Sequence, residues 1–146
     1  MIDSVVIHIR TMATQWRAIL PYSVLASALG SLVNKVASKI IYDVLDLQSL
    51  NADAAENTAK LISNVETLDD LFNKAETPKF ADQWMKMKFL SEVLQSNLQD
   101  IRMLWFESDL GLYFTKEEVL DLIQLSFEDN AKSKQLKREI RDSMTQ

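Results

Sequence analysis

Residues 2–47 read IDSVVIHIRTMATQWRAILPYSVLASALGSLVNKVASKIIYDVLDL, and their spacing decides the fold. Apolar side chains recur three and four positions apart from the start: Ile2, Val5, Val6, Ile9, Met12, Ala13, Trp16, Ile19 and Leu20. That is the period of an α-helix with one buried face. Pro21 ends this helix or starts the next, because it lacks an N–H and its fixed φ suits a first helical turn. A second helix is predicted from about Ser23 to Leu47. Its stripe is Leu25, Leu29, Leu32, Val36, Ile40 and Val44, widened by Ala28, Val33, Ile41 and Leu45. Gly30 lies inside it, near Ala26 and Ala28. It either permits close approach of another helix or is a tolerated defect costing about 1 kcal/mol against alanine. A stripe that begins at the second residue, where chain ends usually fray, is expected of a piece cut from a longer protein.

The composition agrees with helices. Glycine and proline number two each in 146 residues, roughly 3% where an average chain carries about 12%. Sandwiches, barrels, Rossmann folds and P-loops need glycine at fixed places and are excluded. No apolar run approaches about 18 residues, so no membrane span is expected. No basic, cleavable leader is visible. The absence of cysteine removes disulfides and thiolate chemistry and fits the cytosol. Net charge is −5 and unevenly spread: +1 over residues 1–50, −5 over 51–110 and −1 over 111–146. Nothing basic precedes residue 130 in the density that phosphate neutralisation needs, so no nucleic-acid partner is expected.

Farther along, Asn51 is a good N-cap for a third helix through Ala55, Thr58, Ile62, Val65, Leu68 or Asp69, and Phe72. Residues 73–81 form a linker marked by Pro78, and a sub-boundary there is the sole division considered within one domain of residues 1–146. The fourth helix is predicted from Asp82 to Phe106, with a face of Met87, Leu90, Leu94, Asn97 or Leu98, Ile101, and Leu104 or Trp105. Met85, Met87 and Met103 read as core filler. Residues 107–114 form a loop. Thr115 to Glu118 is a capping box opening a fifth helix with Val119, Leu122, Ile123 and Phe127. Asp129 or Asn130 caps a short last helix carrying Leu136 and Ile140. The expected fold class is all-α, a bundle of about four long and two short helices.

Catalytic constellations are scarce. His8 is the single histidine, so neither a His-pair metal site nor a Ser-His-Asp triad with a spare base can be built. Of the carboxylate pairs, Glu117/Glu118 and Glu128/Asp129 suit helix starts, while Asp69/Asp70 reads as a solvated face. No enzyme activity, metal or cofactor is expected. Lys132, Lys134, Lys137, Arg138 and Arg141 complement the end of the last helix; the sharper reading is contact with anionic lipid or an acidic partner. Trp105, Phe106, Leu110, Tyr113 and Phe114 crowd one loop, where aromatics either plug the end of a bundle or anchor a partner. The candidate partner-binding residues are Trp105, Leu110, Tyr113 and Phe114.

Three ordered segments carry a family resemblance. Trp16-Arg17-Ala18-Ile19-Leu20-Pro21 with Ala28-Leu29-Gly30-Ser31-Leu32-Val33-Asn34 resembles the C-terminal region of zeste-white-ten proteins. Lys88-Phe89-Leu90 through Leu98-Gln99-Asp100-Ile101 and Trp105 is similar to a later segment of that region. Phe114-Thr115-Lys116-Glu117-Glu118-Val119 and Leu122-Ile123-Gln124-Leu125-Ser126-Phe127 resemble its close. The order holds over roughly residues 16–140. The family's small-residue loop after the tryptophan is here Phe106-Glu107-Ser108-Asp109-Leu110-Gly111, and the final helix is more charged, so the resemblance implies a divergent, fungal-type member of the Dsl-type helical-rod tethers.

The resemblance implies a non-enzymatic subunit of an endoplasmic-reticulum vesicle-tethering complex in Golgi-to-ER retrograde transport. It further implies a cytoplasmic protein, peripheral on that membrane, whose C-terminal domain docks onto an α-solenoid subunit, with SNAREs and coated vesicles as indirect partners. The alternatives are a kinetochore and spindle-checkpoint scaffold of the same family, or an unrelated helical adaptor.

Overall fold

A computed structural model describes residues 2–143. Its elements are α1 (Ile2–Arg17), α2 (Tyr22–Leu45), α3 (Ala52–Glu66) with a 3₁₀ continuation (Thr67–Leu71), α4 (Thr77–Phe80), α5 (Trp84–Leu94), α6 (Leu98–Glu107), α7 (Leu110–Tyr113), α8 (Lys116–Ser126) and α9 (Ala131–Arg141). No strand occurs among the described residues. The fold class is all-α, as expected, but the count differs from four long and two short helices. The extra elements arise where long predicted helices break and where predicted loops wind into single turns.

α2 is the central helix. It packs against α1, α3, α4, α5 and α8. It buries Leu25, Ala26, Leu29, Gly30, Val33, Ala37, Ile40, Ile41 and Val44, a set too broad for a single stripe. By length and composition it is also apolar enough to cross a bilayer, with a mean hydropathy of 1.4 over its best window. This departs from the expectation that no segment qualifies. In the bundle, however, Leu25, Leu29, Val33, Ile40, Ile41 and Val44 are buried against other helices, and Lys35, Lys39 and Asp43 interrupt its outer side.

Gly30 is the point of closest approach. A Cβ there would stand 2.3 Å from the Phe80 carbonyl oxygen and 2.6 Å from its Cβ. Of the two readings of this glycine, close approach is the one realised. One turn later the Asn34 side-chain oxygen accepts a hydrogen bond from the Gln83 N–H at 2.7 Å, holding the entry to α5. Residues 73–81 are therefore not a free linker. Thr77 and Ala81 are fully buried, and Phe80 packs edge-on to Tyr22 and stacks on Phe72. The Tyr22 hydroxyl accepts from the Asn73 N–H and donates to Glu76. That double tie holds the Asn73–Glu76 turn, in which Ala75 takes φ 64°, a left-handed conformation costing about 1–2 kcal/mol for a residue with a side chain.

The predicted fourth helix of Asp82–Phe106 is two helices. Asn97, one of two candidates with Leu98 for a place on the helix face, is exposed and forms a capping box with Asp100, so α5 ends and α6 begins there. A capping side chain supplies acceptors to orphan N–H groups, which an uninterrupted helix would not need. Thr115 caps α8 as the sequence suggests, and of the two candidates Asp129 and Asn130 it is Asn130 that caps α9. Ile19, expected in the first stripe, is 76% exposed. α1 stops at Arg17, and the Trp16 carbonyl accepts from the N–H groups of Ile19 and Leu20, turning Ile19 outward.

Gly30→Ala separates packing from helix propensity. Propensity alone favours alanine by about 1 kcal/mol; the collision with Phe80 backbone carries an overpacking cost of about 1–3 kcal/mol or more. The variant is expected to have a lower denaturant midpoint with an unchanged slope. A midpoint equal to or above the parent's would show that α2 and α4 do not meet so closely.

Candidate functional site

The aromatic segment between α6 and α8 is the region singled out by sequence, and the structure sorts its members sharply. Trp105, Leu110 and Phe114 are buried. The Trp105 indole N–H donates to the Ser143 hydroxyl at 3.2 Å, so even its polar edge is satisfied within the chain. Tyr113 is half-buried and stacks on Phe89 of α5, with centroids 5.4 Å apart. The four candidate residues thus lie together where α7 packs against α5 and α6. Three of them belong to its core, and Tyr113 alone retains partial access. What the region shows to solvent is Leu112, 74% exposed, and Phe106, 46% exposed. The alternation follows from the winding of residues 110–113 into α7. One helical turn sends Leu110 inward and Leu112 outward, a distinction invisible while the segment is read as an irregular loop.

Charge fastens this plug to α5. Lys86 donates to both carboxylate oxygens of Glu118, at 3.0 and 2.9 Å. Its ammonium also lies 5.0 Å from the centre of the Phe114 ring, within cation–π range. Glu118 at the same time accepts from the Thr115 N–H at 2.9 Å, so one carboxylate closes the α8 cap and anchors α5. Lys116 reaches the carbonyls of Arg141 and Ser143, neutralising carbonyl ends left free where α9 finishes. Arg102 pairs with Glu139 at 2.7 Å, joining α6 to α9. Hydrogen bonding from Arg102, then from Gln135, holds the Glu139 carboxyl below its ordinary range.

Asp69/Asp70 is exposed, as expected, yet both members have partners. Asp70 takes a two-point contact from Arg10 at 3.0 and 3.2 Å, and Asp69 accepts from the Thr77 hydroxyl. His8 is exposed on α1. Among the described residues no group of three or more histidine, cysteine or acidic side chains is arranged to hold a metal ion. Of the terminal cations, Lys137 bonds Gln124 and approaches Asp129, as does Lys134; Lys132, Arg138 and Arg141 are exposed.

Sequence reasoning missed a second surface feature. Met103, expected as core filler, is 47% exposed. With Leu104 it lines a groove of about 530 Å³ between the end of α5 and the outer side of α6, which also meets Glu92, Asp100 and Glu107. The missed signal is helical phase: Met103 stands two positions from both Ile101 and Trp105, which face the core, so on the same helix it faces out. Near this end of α5, burial raises the Glu66 carboxyl above its usual value, an effect that Lys88 opposes and that Asp69 and Glu92 reinforce.

These features define a class: a helical-bundle domain with an apolar interior, whose polar chemistry lies in inter-helix ties and on its surface. The chain matches the ZW10 C-terminal helical domain family over residues 1–140, and it belongs to that family. It is 26% identical over 139 residues to the centromere/kinetochore protein zw10 homolog of Rattus norvegicus, and 25% identical over 139 residues to that of Mus musculus. Each match covers 85% of this chain and 18% of the relative, so the chain spans less than a fifth of the length of these curated relatives.

Two measurements check the sorting. Phe114→Ala should cost about 3–5 kcal/mol, the range for emptying a buried phenylalanine site, whereas Leu112→Ala should stay within about 0.5 kcal/mol of the parent. Equal effects would contradict the plug. Glu66→Gln tests the buried carboxyl. Because its folded pKa is raised, ionisation opposes folding above the unfolded value of about 4.3. The glutamine variant should therefore gain stability over the parent at neutral pH, and the gain should vanish as pH falls below the carboxylate range. A pH-independent difference would show that the carboxyl is not penalised by burial.

Proposed function

We propose that this domain is the docking end of a non-enzymatic subunit in a multisubunit vesicle-tethering complex, peripheral on the cytoplasmic face of the endoplasmic reticulum and serving Golgi-to-ER retrograde transport. The observation that carries the reading is the family match over nearly the whole chain. The partner is an α-solenoid subunit, with SNAREs and coated vesicles engaged indirectly through the assembly. The mechanism is mechanical. A bundle whose helices are fixed by Gly30, Asn34 and the Lys86–Glu118 tie presents a rigid surface, and rigidity limits the ordering cost of association. The docking surface is the Trp105–Phe114 segment. Phe106, Leu112 and the open side of Tyr113 make contact, while Trp105, Leu110 and Phe114 hold their shape from beneath.

A second reading is favoured by the names of the two relatives, both centromere/kinetochore proteins. In that reading the same surface serves a kinetochore scaffold. Affinity purification from cells with the full-length protein, intact or carrying Phe106→Ala and Leu112→Asp, distinguishes them. Under the tethering reading, a solenoid tether subunit is recovered with the parent and falls by about tenfold or more with the variant, equivalent to about 1.4 kcal/mol or more of binding. Recovery of kinetochore proteins without tether subunits favours the second reading. Undiminished recovery by the folded variant removes the docking surface from the proposal.

A further inference from the structure

The groove between α5 and α6 has an uneven chemistry. Its floor is Met103 and Leu104, and Met103 leads along the same helix to half-exposed Phe106. Its rim carries Glu92, Asp100 and Glu107, and no basic side chain lines it. None of these carboxylates enters an ion pair among the described residues. Asp100 is committed through one oxygen to the Asn97 N–H, leaving Glu92 near the end of α5 and Glu107 at the end of α6 as unneutralised charges. The groove lies within residues 51–110, which hold the chain's −5 excess. Acidic rims around an apolar floor repel acidic and anionic surfaces and complement cations attached to an apolar face.

We propose that this groove seats a basic amphipathic helix of a partner subunit, its apolar side chains on Met103 and Leu104 and its lysines or arginines against Glu92, Asp100 and Glu107. The inference rests on the reading of the neighbouring Trp105–Phe114 segment as a docking surface and names the chemistry of what docks. A helix fits better than an extended segment for a physical reason. An extended segment gains affinity by adding backbone hydrogen bonds to a sheet edge, and no strand is present among the described residues. A helix satisfies its own backbone and needs only side-chain contacts, which apolar residues three and four apart supply along the two to three turns of α6. Methionine suits such a floor, since its unbranched, polarizable side chain adapts to the anchor that enters.

The test titrates the isotope-labelled 146-residue chain with a synthetic peptide of about 18 residues built from lysine and leucine, the leucines recurring three and four apart. A second peptide has the same pattern with glutamate in place of lysine. The basic peptide is expected to shift amide resonances at residues 92–108. Its affinity should fall by about tenfold or more in the Glu92→Lys/Glu107→Lys variant, and by severalfold in Met103→Gln, which keeps the charges and tests the floor alone. The acidic peptide should not bind. Equal binding of both peptides, shifts confined to other helices, or indifference to both variants overturns the proposal. Self-association of the chain by light scattering, abolished by Arg138→Glu/Arg141→Glu, would put the basic α9 of a second copy in the groove and overturns it also. Because the peptides contain no tether sequence, their failure would leave recovery of a solenoid subunit unaffected, and failed recovery would leave peptide binding unaffected.

Discussion

The bundle is organised by the meeting of α2 with the backbone at Phe80. A side chain at position 30 would have to occupy space filled by a carbonyl, so the approach exists only because the residue is glycine. From that contact the rest follows in order. The α4 turn lies against α2, Asn34 takes the Gln83 N–H one helical turn away, and α5 leaves in a fixed direction. α5 then becomes the platform for α3 on one side and the α7 turn on the other. Small residues on α2, Ala26 and Ala37 among them, are buried along the same helix. Backbones that come near without intervening side chains gain dispersion contacts from both helices, which offsets the helix-propensity loss at glycine.

The attachment of α8 depends on a polar device of comparable economy. Glu118 serves the α8 cap and receives Lys86, and the same ammonium faces the Phe114 ring. The group sits at the boundary between core and solvent, where charges keep part of their hydration and the desolvation cost of a fully buried pair is avoided. Through it, the orientation of α8 is coupled to α5, and the intervening α7 turn has little freedom to move. Ser143 and Lys116 extend the coupling to the end of α9. A surface built on these elements therefore moves with the bundle as a unit.

Much of this was legible in the sequence, in proportion to how far each signal is local. Helix periodicity and caps at Asn51, Thr115 and Asn130 depend on residues within a few positions of one another, and they appear where expected. Gly30 could be narrowed to two readings but not decided, because its partner is 50 residues away. The break at Asn97 was hidden by the apolar spacing that runs across it: Leu94 and Ile101 lie seven apart, as in one continuous helix. Asparagine reads as a polar intrusion in a stripe until the capping partner Asp100 is noticed. Aromatic crowding, the signal behind the candidate partner residues, marks a place without distinguishing its inward from its outward side. Only the winding of α7 makes that distinction.

That difference between place and side bears on how a bundle of this kind recognises anything. Trp105, Leu110 and Phe114 are the buried apolar groups of the segment, and their burial commits them to folding. An encounter that recruited them would have to open the core, at a cost of several kcal/mol before any contact formed. Recognition must then use what remains outside: single apolar side chains such as Phe106, Leu112 and Met103, set among unpaired carboxylates. Isolated apolar groups contribute modestly, and charges at a rim mainly set orientation and encounter rate. High affinity from such a surface requires several contacts held at fixed separations, so that ordering is not charged to each binding event. In the proposed docking role, the rigid ties at Gly30 and Lys86 would supply that fixed separation, so that the core contributes without touching a partner.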